Sequence, residues 1–196
     1  MKFNRREIRD LVIAWLIISL AFAILFSGIK SLFSNIFIIS LLISAFTVGI
    51  GFLFHELMHK YLAQKYGLGA EFHAFYGMLL LALAFSLFGF IIAAPGAVFI
   101  YGRVNKEKNG KISLAGPLIN IALAFLFLIL LFFNSNKIFE MVAFYGLSIN
   151  SLLALFNLLP FIPFDGGKVY AWSKTAYFTS LIVALFLFIS RYLITF

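Results

Sequence analysis

Five long stretches without a single charged side chain, 11–29, 36–54, 74–102, 114–133 and 141–164, decide most of what this chain can become. A soluble domain must cover its surface with polar groups, whereas these runs leave only short polar segments between them. Runs of about twenty apolar residues match the hydrocarbon thickness of a bilayer when wound as helices. Across 196 residues, 64% are hydrophobic and 11% charged, against roughly a quarter charged in soluble domains. The chain is therefore read as an all-α polytopic membrane protein, a single membrane-embedded domain over 1–196 with no appended soluble domain.

The net charge of +8 does not point to nucleic acid, because the basic residues lie in short loops between apolar runs. Such placement fits anionic lipid headgroups and topology control. With no cysteine, disulfides and thiolate metal sites are excluded.

In order, the polar start at 1–10 leads to a first span over 11–29 and a turn at Gly28–Asn35. A second span starts near Ile36 and runs through His55-Glu56-Leu57-Met58-His59, turning polar at Lys60, Gln64 and Lys65. Ser44, Gly49 and Gly51 offer a close approach to another helix. The loop Tyr101–Ser113 follows the stretch 74–100, then come spans over 114–133, from about Ile138 to Leu159, and from about Thr175 to the C-terminus. That makes about five to six transmembrane helices. Gly116-Pro117 is expected to break one of them, and Pro160 and Pro163 to hold Leu159–Gly167 extended.

The stretch 74–100 contains Gly89 and Ala94-Pro95-Gly96, poor helix formers. If it crossed once, Lys and Arg would divide eight to seven between the two faces; if it dips in and returns, they divide twelve to three. Cytoplasmic faces carry such an excess, so a re-entrant segment is expected, with the N-terminus and the active-site end cytoplasmic in a multi-pass cell-membrane protein. The re-entrant form also puts the His55–His59 end and Asp165 at one face.

The pattern H-E-x-x-H carries the chemistry. Residues four apart share a helix face, so His55 and His59 can grip one ion. Zinc suits two neutral imidazoles plus a carboxylate, and Glu56 is placed to take a proton from water. Of the seven acids, Glu7, Asp10, Glu71, Glu107 and Glu140 fall in polar loops or at helix ends; Glu56 and Asp165 are set against apolar sequence, where an ionisable group is costly and functional by default. Asn157 and Asn120 are candidates to hydrogen-bond a substrate or a developing oxyanion, with a plain helix–helix hydrogen bond the competing reading. His73 reads as a loop histidine.

HELMH at 55–59, AGPLIN at 115–120 and NLLPFIPFDGG at 157–167 together resemble the site-2 protease family of intramembrane zinc metalloproteases (family M50). The resemblance covers about 45–167, within a catalytic core placed at about 36–167. It implies one Zn2+ per chain held by His55, His59 and Asp165, with Glu56 as catalytic base and Asn157 assisting substrate or tetrahedral intermediate. It also implies that Ala94–Tyr101 corresponds to the family's extended hairpin, which holds substrate as an added strand. Phe164 stands where the family usually has Leu, the apolar stretch 74–92 lies outside the family pattern, and no PDZ-like insert is expected. The implied activity is hydrolysis of peptide bonds within or near transmembrane segments of membrane protein substrates in the lipid bilayer. Two other readings remain open at this point, a metal-binding membrane transporter and a catalytically inactive site-2 protease relative.

Overall fold

A computed structural model describes residues 1–91, 94–133 and 136–193. The expected re-entrant stretch includes 92 and 93, residues 134 and 135 fall between two expected spans, and the last expected span includes 194–196; these positions lie outside the described residues.

The first apolar run forms α1 (Arg5–Ser27), capped by Asn4, whose Oδ1 accepts from Glu7 N–H. The second run forms α2 (Asn35–Ser44), one π-helical turn over Ala45–Gly49, and α3 (Ile50–Lys65), together one continuous rod. The Trp15 indole N–H donates to Ala45 O within that wide turn, and Gly49 is packed so tightly on the Trp15 ring that a Cβ would collide with it. Gly51 packs against Asn150 in the same way, so both glycines let neighbouring helices close in.

β1 (Gly69–Ala74), α4 (Tyr76–Ser86) and β2 (Gly96–Tyr101) follow. The strands pair antiparallel, with Gly69 opposite Tyr101 and Ala74 opposite Gly96. The pairing thus brings the two ends of the segment side by side. The expected hairpin within Ala94–Tyr101 is corrected: that segment supplies one strand, and its partner comes from residues ahead of the apolar stretch. The alternation in Gly-Ala-Glu-Phe-His-Ala, burying Ala70 and Phe72, was the strand signal. His73 therefore sits on a strand, against Phe99.

α5 (Lys106–Phe133) is one helix, so the break expected at Gly116-Pro117 does not occur and the loop ahead of it is shorter. α6 (Lys137–Asn157) leads through a bent segment to α7 (Asp165–Trp172) and α8 (Lys174–Ser190). The Ile162–Pro163 peptide bond in that bend is cis. Gly166 and Gly167 are helical rather than extended: the first turn of α7 lies on Leu158 O, with no room for a Cβ at Gly166.

Among the described residues, α1, the α2–α3 rod, α5 and α6 are long and apolar enough to cross a membrane, while α4 and α8 are apolar but shorter. This is a helical membrane protein with a small two-stranded sheet. Its core lies between α1, the rod, α4 and the sheet, where Leu11, Ile18, Val48, Phe52, Phe72 and Leu79 pack together. A second cluster joins α5, α6 and α8 through Phe127, Leu147 and Leu187.

Candidate metal centre

α3 places the His55 and His59 imidazoles on one face, and α7 brings Asp165 to them as its first residue. His59 Nε2 lies 3.0 Å from His55 Nε2 and 3.0 Å from Asp165 Oδ2, and His55 Nε2 lies 3.5 Å from the same oxygen. Ligand atoms about 2.0–2.2 Å from a tetrahedral ion stand roughly 3.3–3.6 Å apart; one of the three spacings lies in that range and the other two are shorter, so the three atoms converge on one point that a single small ion could join.

The far ring nitrogens test whether the cage fits a cation. His55 Nδ1 is 2.6 Å from Asn120 Oδ1, and His59 Nδ1 is 2.8 Å from Ile112 O. Asn120 Nδ2 donates to Gly51 O and to Asn150 Oδ1, both at 3.1 Å, which fixes its oxygen toward His55. Both Nδ1 atoms therefore donate, and both Nε2 atoms turn lone pairs toward each other and toward the carboxylate. Three electron-rich atoms in a buried space repel unless a cation joins them. The donor set, two imidazoles and one carboxylate, suits zinc.

α5 shapes the back of the cage. Pro117 carries no N–H for Ser113 O, and the neighbouring Ile112 O accepts from His59 Nδ1. Gly116 faces the ligand atoms so closely that a Cβ would run into Nε2 of both histidines. The AGP sequence of α5 thus serves as a close-fitting wall.

Glu56 is buried on α3 beside His55, with the Val98 N–H of β2 near enough to bear on its carboxylate. The sheet therefore lies against this side of the site. Lys168, one turn along α7, approaches Asp165 Oδ1 at 3.4 Å and leaves Oδ2 to the histidines. Asn157, at the end of α6, is half-buried and donates from Nδ2 to Leu153 O in its own helix at 2.9 Å. Asn120, by contrast, is fully buried with both amide protons engaged, so the oxyanion role considered for it gives way to orienting His55.

Four contributors are not evident from the sequence. Asn150 supports Asn120 and itself donates to Gly146 O at 2.9 Å; a polar Ser148–Asn150–Ser151 stripe in an apolar helix was its signal. Glu7 and Lys60 form a buried ion pair, and Asp10 is buried on the same helix face. Glu7 and Asp10 do lie near the start of α1, but they are buried rather than part of a polar loop.

The chain is 47% identical over 175 residues to "Putative zinc metalloprotease MJ0611" of Methanocaldococcus jannaschii, spanning 88% of this chain and 87% of that protein. It is 31% identical over 149 residues to "Zinc metalloprotease MJ0392" of the same organism, spanning 76% of this chain and 38% of that protein. It is also 31% identical over 130 residues to "Putative zinc metalloprotease Rip3" of Mycobacterium tuberculosis, spanning 62% of this chain and 29% of that longer protein. No protein-family model and no solved structure matches the chain.

Proposed function

As the chain belongs to the site-2 protease family of zinc metalloproteases, we propose that it hydrolyses peptide bonds within or near transmembrane segments of other membrane proteins. The observation that carries this reading is the meeting of His55, His59 and Asp165 beside Glu56, inside a helical membrane domain and against a strand edge.

In this reading His55 Nε2, His59 Nε2 and Asp165 Oδ2 hold one zinc ion. When bound, the ion supplies Lewis acidity that polarises a carbonyl and acidifies water. The Glu56 carboxylate accepts the proton of the attacking water and returns it to the leaving amine nitrogen, so water adds across the C–N bond with no net proton change. Asn120 holds His55 in the tautomer that presents Nε2, and Ile112 O does the same for His59. Asn157 keeps a second amide proton, which it offers to substrate or to the developing oxyanion.

A helical amide is shielded by its own hydrogen bonds, so the substrate segment must unwind. In a membrane its freed backbone groups need partners, and pairing along β2 supplies them next to Glu56. The basic excess supports an orientation with the N-terminus and the active-site end on the cytoplasmic side of the cell membrane, where water is at hand.

The test uses full-length protein in lipid nanodiscs with a panel of tagged single-span membrane proteins. Wild type cleaves at least one of them inside or beside its span, and Glu56→Gln binds zinc but does not cleave. Cleavage by Glu56→Gln would sink the assignment.

A further inference from the structure

Two carboxylates of α1 run along the outer edge of β1. Glu7 Oε1 accepts from Phe72 N–H at 2.9 Å, and Asp10 Oδ2 accepts from Ala74 N–H at 3.3 Å. The acids are nearly one helical turn apart and the amides two strand residues apart, spacings of about 5 and 7 Å that side chains can reconcile. Asp10 Oδ1 also accepts from the Tyr76 hydroxyl at 2.6 Å.

Lys60, the residue after His59, joins this edge to the metal helix. Its Nζ donates to Glu7 Oε1 at 2.7 Å, Glu7 Oε2 at 2.8 Å and Ala70 O at 2.7 Å, using all three ammonium protons. Both partners are 1% exposed. A buried ion pair is weak as a source of stability compared with well-packed apolar residues, so its use here points to geometry.

The register shows what that geometry is. Ala70, Phe72 and Ala74 turn their backbone groups toward α1 and α3, so in an antiparallel ladder their partners Ile100, Val98 and Gly96 turn theirs to the far side of β2. Val98 is also the β2 residue whose backbone N–H bears on the Glu56 carboxylate. One edge of the sheet is closed by side chains of α1 and α3, and the other faces the metal centre.

We infer that Glu7, Asp10 and Lys60 are positioning residues that pin the sheet to the metal helix and close its outer edge, so that an extended polypeptide joins the sheet only at β2, beside Glu56. This rests on the protease reading above.

Two probes separate sheet from metal. Acetohydroxamate binds zinc without using the sheet; a phosphinic hexapeptide of Leu, Val and Phe, its phosphinate replacing the central peptide bond, needs both. In zinc-loaded full-length protein, Glu7→Ala/Lys60→Met and Asp10→Ala each weaken the hexapeptide roughly tenfold, as expected for loss of charge-assisted hydrogen bonds. Acetohydroxamate affinity stays within about twofold, a change well under 1 kcal/mol. Glu7→Gln/Lys60→Met, which keeps an acceptor for Phe72 N–H, recovers most of the hexapeptide affinity. If the first double variant does not fold, Asp10→Ala and the glutamine double variant decide. Unchanged hexapeptide binding in these variants, or equal loss of both probes, overturns the inference. If wild type does not bind acetohydroxamate, the protease reading fails separately. Hydrogen exchange then judges the cluster alone: Phe72 and Ala74 amides exchange slowly in wild type and Asp10→Ala releases Ala74, whereas fast exchange in wild type overturns it.

Discussion

Asn120 Oδ1 sits 2.6 Å from His55 Nδ1, and that one hydrogen bond decides which imidazole nitrogen is free for a metal. The amide cannot turn over without losing its bonds to Gly51 and Asn150. Asn120→Ala is expected to lower zinc affinity roughly 10- to 100-fold, the usual effect of losing a group that orients a histidine ligand. Asn120→Asp, which keeps the acceptor, is expected to lose less. Competition with a chromogenic chelator measures both.

Gly116→Ala places a methyl where the two Nε2 atoms stand. Because alanine favours helix over glycine by about 1 kcal/mol, α5 should persist while the cage is blocked. The expected result is a folded protein, by circular dichroism, with well under one zinc per chain by elemental analysis. Full zinc occupancy would contradict the close wall described here.

Asp165→Ala removes the carboxylate that faces both histidines. Bound zinc should fall clearly below that of wild type, while Glu56→Gln should hold as much as wild type. Equal zinc in wild type and Asp165→Ala would remove α7 from the site.

Stripping the metal leaves two imidazole lone pairs and a carboxylate facing one another. Ligand binding to the folded state adds RT ln(1 + [L]/Kd), about 4 kcal/mol at a thousandfold excess over Kd. The chelated protein should therefore unfold at a lower temperature and recover with added zinc, while Asp165→Ala should show little difference between the two conditions.

Lys60→Met alone strands the Glu7 carboxylate in a buried place. Breaking one side of a buried pair costs about 3–5 kcal/mol, so this variant should be markedly less stable than Glu7→Ala/Lys60→Met, where no charge is left unpaired. Thermal unfolding in detergent orders the two.

Local periodicity made much of this protein legible from sequence. Long uncharged runs can only be spanning or core helices in lipid, and a four-residue spacing of histidines on a helix puts both on one face whatever else the chain does. Asp165 could be singled out because an acid in apolar surroundings is costly without a partner. What the sequence could not decide was how distant segments close on one another. Pro117 reads as a break, yet α5 runs through it because packing against α3, α6 and α7 holds the helix together. The strand at 69–74 was hidden because its partner lies beyond a whole helix. Glu7 reads as a residue of a polar helix end and Lys60 as the start of a polar stretch until the fold buries them against each other. The motif residues follow from short-range geometry, encoded within a few turns of one helix; the orientation of His55 by Asn120 and the closed edge of the sheet depend on contacts between segments far apart in the chain, which only the tertiary structure brings together.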